Sequence, residues 1–189
     1  MRLTILAAGA LLPLAACNQG PSTEESARRT GEVRLENASM EEVAKQSAAA
    51  DSKAPSQPGM WEETMQLTGF EPGGAPEAQV APLKAQVGKP PQTQRGCRTE
   101  RDGKPLDVSK FPAMAKSCRF AKYVTAGGKV DAAMDCDTPL GKSRVSITGT
   151  QTPAAYDLVM KQSQTVPGQT KETSMTFRVT GKRVGKCKA

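Results

Sequence analysis

Histidine is missing from all 189 residues, and aromatic side chains are scarce: one Trp, two Tyr and four Phe. Without histidine the chain lacks the commonest general base, and Ser–His and Cys–His nucleophile pairs are excluded. No Gly-rich loop followed by Lys and Ser/Thr occurs, which removes the usual phosphate cradle of nucleotide hydrolysis. No carboxylates cluster on a plausible interior face. The cysteines form no CxxC pair, and Cys118 and Cys136 stand eighteen apart, which argues against a zinc site. The residues therefore predict a protein that is not an enzyme and has no metal or other cofactor.

Long apolar runs are also missing beyond the first sixteen residues, so nothing later in the chain is apolar enough to cross a bilayer as a helix. Those sixteen have the layout of an export signal: Arg2, an apolar stretch from Leu3 to Ala16, and Pro13 near its end. The ending Leu14-Ala15-Ala16-Cys17 resembles the lipobox of bacterial lipoproteins. That resemblance implies cleavage before Cys17, a diacylglycerol thioether on its sulfur, and acylation of the new amine. Asn18, rather than an Asp that retains lipoproteins at the inner membrane, favours the periplasmic side of the outer membrane. Losing Arg2 lowers the formal charge from +7 to +6, so the exported chain stays basic. The remaining cysteines, Cys97, Cys118, Cys136 and Cys187, suit an oxidising compartment and allow three pairings.

Residues 17–57 are rich in Ser, Ala, Glu, Gln and Lys and poor in large apolar side chains, which predicts a flexible tether. Forty such residues would reach roughly 35 Å. Ser39 and Glu42 fit a capping box, so residues 40–51 form at most a transient, solvated helix in this reading.

From Pro58 to Ala189 period-two alternation dominates and predicts an antiparallel β domain. Folding residues 118–136 about Ala126-Gly127-Gly128 sets Cys118 against Cys136, Phe120 against Met134 and Val124 against Val130. The outer side then pairs Arg119 with Asp135 and Tyr123 with Asp131. Cross-strand neighbours lie about 4.5–5.5 Å apart, within disulfide range. The register therefore selects Cys118–Cys136 and leaves Cys97 for Cys187. Folding about residues 138–141 pairs Met134 with Val145, Ala132 with Ile147 and Asp135 with Arg144, so that Asp135 lies between two guanidiniums. A third hairpin turns near Thr152-Pro153. A fourth, at Val166-Pro167-Gly168-Gln169, sets Met160 against Met175, Leu158 against Phe177 and Asp157 against Arg178. Residues 118–181 thus read as a five-strand meander with one apolar face.

Trp61, Met65 and Leu67 alternate on an earlier strand, with Glu63 interrupting their apolar face, and Thr93 to Cys97 supply another. Residues 69–91, rich in Gly and Pro, read as a long loop, and residues 106–116 as a short helix or irregular crossing. The predicted fold is all-β: an antiparallel meander of six to eight strands forming a small barrel-like or cupped sheet.

The opening Pro58-Gly59-Met60-Trp61-Glu62, the three cysteines Cys97, Cys118 and Cys136, and the ending Gly181-Lys182-Arg183-Val184-Gly185-Lys186-Cys187 resemble one family. It is the domain-of-unknown-function 3617 family of proteobacterial envelope proteins. The resemblance covers residues 58–189 and implies no particular activity. The insert after the tryptophan is poorer in Met here than is common in the family, so metal binding through it is not implied.

Two sets of residues are candidates for binding. Gly59-Met60-Trp61 resembles the first strand of lipocalin-like barrels, where a late basic residue packs over the indole; Arg178 or Arg183 could take that place over Trp61. The plainer reading makes Trp61 the largest core residue. Residues 142–189 hold nine Lys or Arg against Asp157 and Glu172, and Lys142, Arg144, Lys161 and Arg178 share the outward parity of their strands. Such a face would attract anionic headgroups, lipopolysaccharide phosphates or an acidic envelope protein, or simply be solvated. Nucleic acid is excluded by compartment and by the lack of exposed aromatics. The function expected is a non-enzymatic envelope lipoprotein docking an anionic surface or partner, with a carrier of small lipophilic molecules as the alternative.

Overall fold

The alternation from Cys118 onward becomes five consecutive antiparallel strands. In the computed structural model, which describes residues 22–53, 55–99, 116–139, 141–165 and 171–187, these are β4 (Cys118–Ala126), β5 (Lys129–Thr138), β6 (Gly141–Gln151), β7 (Ala155–Thr165) and β8 (Thr173–Gly185). Before them come α1 (Glu24–Thr30), β1 (Val33–Ser39), α2 (Met40–Asp51), β2 (Gly59–Glu71), α3 (Glu77–Lys84) and β3 (Gln92–Arg98). The strands form one sheet in the order β1-β4-β5-β6-β7-β8-β2-β3, open and cupped, with β1 and β3 as its edges. No helix among the described residues is long and apolar enough to cross a membrane. The expected signal, Cys17 and most of residues 106–116 lie outside the described residues.

Two hairpins follow the alternation closely. Cys118 pairs Cys136, Arg119 pairs Asp135 and Phe120 pairs Met134. Across the next connection Met134 pairs Val145, Ala132 pairs Ile147 and Asp135 pairs Arg144. The first hairpin then departs from expectation. Phe120 faces Met134 but Lys122 faces Ala133, so Ala121 is an extra residue in a β-bulge. Beyond the bulge every side chain changes face. Tyr123 moves inward, edge-on to Phe120 at 5.3 Å, and is buried. Lys122 takes the outward place expected of Tyr123 and pairs with Asp131. Thr125, not Val124, faces Val130, and the turn shrinks to Gly127-Gly128, both at positive φ, as a two-residue hairpin turn requires. Burial of an aromatic ring, whose hydroxyl also meets Ser47 Oγ at 3.0 Å, outweighs an unbroken ladder.

The β7–β8 register also differs. Met160 faces Phe177, Leu158 faces Val179 and Asp157 faces Thr180, two residues from the expected pairing. A two-residue slip leaves each side chain on its face, so alternation cannot detect it. The turn proposed at residues 166–169 lies outside the described residues.

The largest correction concerns the expected tether. Residues 24–51 fold as α1, β1 and α2 against the sheet, and β1 pairs with β4 along its length. Ala27, Val33, Ala38, Met40, Val43, Ala49 and Ala50 join Cys118, Phe120, Tyr123, Ala132, Met134 and Cys136 in one buried cluster. The apolar stripe is thin, but it is mostly alanine, which lets helices approach closely. The strand ladder also satisfies backbone groups that a solvated tether would leave to water. The capping box at Ser39 and Glu42 is present and starts a docked helix. Residues 69–91 are likewise not all loop: β2 runs to Glu71, and α3 holds Val80 buried despite Pro82.

Candidate functional site

A second buried cluster, Trp61, Val130, Tyr156 and Leu158, lies toward the end of the sheet where β2 begins and β8 finishes. Trp61 is 1% exposed, and its indole N–H donates to the carbonyl of Gln57 at 3.0 Å. The cation over its ring is neither Arg178 nor Arg183. It is Arg98, from the edge strand β3, 4.6 Å from the indole centroid and 5.6 Å from the Tyr156 ring. The two rings stack at 6.1 Å. Arg178 instead lies on the opposite face and donates to both oxygens of Asp157, at 3.0 and 2.6 Å. Arg183 donates from Nε to the carbonyl of Pro58 at 2.7 Å.

Glu63, the residue that breaks the apolar alternation of β2, explains why Arg98 can be there. Its carboxylate accepts from Arg98 Nη2 and, at 2.6 Å, from the Tyr156 hydroxyl. Burial pushes the Tyr156 phenol up, partly offset by the charge of Arg98. The sequence carried one signal for this site: a carboxylate at inward parity needs a cation, and Arg98 is inward by its pairing with Gly59. Nothing short of the β2–β3 register brings them together.

The outward cations are largely neutralised. Arg144 donates to both oxygens of Asp135, at 2.6 and 2.8 Å, and holds that carboxyl below its usual range. Arg178 does the same to Asp157, and Lys161 lies 3.8 Å from Glu71. Of the four residues singled out, only Lys142 lacks a carboxylate within ion-pair distance among the described residues. Glu62 adds a further link, held down first by Arg95 and then by Lys182. Arg119 does not share Asp135 as expected; its guanidinium reaches Asn37 on β1. The bulge and the edge strand together offer it a partner that the meander alone does not contain. The face is therefore a ladder of alternating charges rather than a basic plate.

Among the described residues, positive charge without a carboxylate partner gathers instead beside the disulfide Cys97–Cys187, whose partners are 90 residues apart. The second disulfide, Cys118–Cys136, ties β4 to β5. An open notch of about 690 Å³ lies between Pro58, Gly59 and the first disulfide, with Arg98, Arg183 and Lys186 around it. Among the described residues, no carboxylate lines it. Arg98 is balanced by Glu63, but its Nη1 is buried with no acceptor. Arg183 and Lys186 have no carboxylate partner among the described residues.

No curated protein and no solved structure matches the chain. The family described as "Protein of unknown function (DUF3617)" matches residues 56–187, which span the sheet from just before β2 through both disulfides. The chain belongs to that family.

Proposed function

We propose that this chain is a non-enzymatic, lipid-anchored protein of the bacterial envelope whose sheet domain is held directly against an anionic membrane surface. One observation carries this reading. Ser22, five residues beyond Cys17, is already fixed to the domain: its N–H donates to the Arg34 carbonyl at 2.8 Å, and its carbonyl accepts from Gln46 at 3.2 Å. Five extended residues reach about 17 Å at most, so a lipid on Cys17 leaves no room for a forty-residue tether.

The end of the sheet nearest Ser22 follows from the registers. Val33 at the start of β1 pairs with Thr125 near the end of β4. Lys129, Gln151, Ala155, Gly185 and Gly59 continue along that same end. It carries Lys129, Arg183 and Lys186, besides an Arg34 that is ion-paired with Glu32, and each unpaired cation close to an anionic headgroup layer contributes on the order of 1 kcal/mol. Lipopolysaccharide phosphates or an acidic envelope protein would meet the same charges. The cations of the strand face, Arg144, Lys161 and Arg178, already have carboxylate partners, which favours the sheet end over that face.

Detergent partition tests the anchor: a Cys17→Ser chain should leave the Triton X-114 phase. Partition equal to the parent's would remove Cys17 as the attachment point. Orientation is tested by fluorophores placed at Lys129 or Lys142, on opposite ends of the sheet. Nitroxide headgroups should quench the first and spare the second. A carrier of lipophilic molecules is a second reading, favoured by Met65, which is 46% exposed on the inner face near the partly exposed Leu67, Met160 and Phe177. Saturable binding of an apolar fluorophore, lost in Met65→Asp, would favour it.

A further inference from the structure

We infer that the notch beside Cys97–Cys187 is a binding site for a dianionic phosphate monoester group. Among the described residues two positive charges there have no carboxylate partner, those of Arg183 and Lys186, because Arg98 is balanced by Glu63. A phosphate monoester carries about −1.5 to −2 at pH 7, which matches that surplus; a phosphodiester or a carboxylate carries only one charge.

The donors are of the kinds phosphate uses. Arg183 is held in place by its Nε bond to the Pro58 carbonyl, which leaves its two terminal nitrogens for a planar, two-pronged contact. Lys186 adds a mobile point charge next to Cys187. Arg98 lines the notch with its charge balanced by Glu63. The platform is rigid. Gly59 lies so close to β8 that a Cβ would be 2.4 Å from the Gly185 carbonyl and 2.6 Å from Arg183 Nε. The disulfide fixes Cys187 to the edge strand, so Lys186 stays at the rim. The inference needs no lipid on Cys17 and stands apart from the anchor.

The group could come from a soluble phosphoester or from a lipid ending in a phosphate monoester. Calorimetric titration of the full chain in neutral detergent, at low ionic strength and pH 7.5, distinguishes them. The probes are inorganic phosphate, a short-chain phosphatidic acid, and a phosphatidylglycerol of the same chain length as the phosphodiester control. The expected result is saturable binding of inorganic phosphate and phosphatidic acid, at least tenfold tighter than phosphatidylglycerol. Phosphatidic acid binding well above phosphate identifies a lipid source, and equal affinities a soluble one.

Lys186→Gln, an exposed change that removes no bond of the fold, should weaken binding several-fold. Arg183→Gln with Lys186→Gln should weaken it tenfold or more. Arg144→Gln, which lowers the net charge elsewhere, should stay within twofold of the parent. A parent that binds neither inorganic phosphate nor phosphatidic acid overturns the site. So does a Lys186→Gln chain that binds like the parent, or a loss in Arg144→Gln as large as that in Lys186→Gln.

Discussion

Tyr156 donates its hydroxyl to Glu63 across 2.6 Å, 93 residues away in the chain, at a place where the alternation of β2 calls for an apolar side chain. That carboxylate also holds Arg98 over Trp61. Hydrogen bonds to charged groups contribute about 1.5–3 kcal/mol, so Glu63→Ala should destabilise the domain by about that amount. Tyr156→Phe should cost less, about 1 kcal/mol. A double-mutant cycle in urea should show the two coupled; strict additivity would mean the contact contributes nothing.

Burial raises the Tyr156 phenol above its ordinary value. The unfolded phenol, near 10, then loses its proton first as pH rises, and the folded state binds more protons in that window. Stability must therefore fall as pH climbs from about 10 toward the folded value. Tyr156→Phe should flatten that part of the pH profile. If its profile parallels the parent's between pH 9.5 and 11, the phenol is not the group responsible.

Helix α2 should behave as part of the core. Val43 is fully buried, so Val43→Asp should cost more than about 3 kcal/mol by placing an unpaired charge inside. Ser39→Ala should cost about 1 kcal/mol through loss of the cap. Native-state hydrogen exchange should protect the amides of residues 43–50 as strongly as those of β5. Exchange at the rate of an open chain would restore the tether.

The Asp135–Arg144 pair gives a graded test of the outer ladder. Exposed pairs contribute about 0.2–1 kcal/mol, and this one is two-pronged, so Asp135→Asn should fall near the top of that range and shrink in high salt. Asp137→Asn should be near neutral, since Asp137 faces Lys142 without an ion pair among the described residues. Arg144 holds the Asp135 carboxyl below its ordinary value. Its stabilisation is therefore present above the unfolded carboxylate value, about 3.9, and is lost as pH falls through the lower folded one. Arg119→Gln should leave that acid limb unchanged, because Arg119 bonds to Asn37. A shifted acid limb in Arg119→Gln would mean that Asp135 serves both guanidiniums after all.

The two disulfides should differ in strength by loop length. Partners 18 and 90 residues apart correspond to about 3 and about 4.5 kcal/mol in the chain-entropy account. Replacing Cys97 and Cys187 with Ser should therefore lower the urea midpoint more than replacing Cys118 and Cys136. Non-reducing peptide mapping of the parent should find both pairs, and a Cys97–Cys118 peptide would contradict the sheet order itself.

Local, periodic features were legible in the residues themselves. Strands β4 to β8, the Cys118–Cys136 pair, the Met134–Val145 register and the start of β3 follow from a period of two combined with turn residues, because that pattern is written within ten or so neighbours. The capping box of α2 was equally visible, but whether the helix docks was not. Docking depends on an open edge of β4, more than seventy residues later, that β1 can join. The bulge at Ala121 and the two-residue shift of β8 were hidden for a related reason. Each exchanges one acceptable local pattern for another, and the choice is made by burial of Tyr123 or by neighbours on a third strand. Arg98 over Trp61 and the positive notch by Cys187 lie furthest from the sequence. They exist because β2 is inserted between β8 and β3, and because one disulfide pins the chain's end to an edge strand. Energies of long-range contact set those placements, and no window of neighbouring residues contains them.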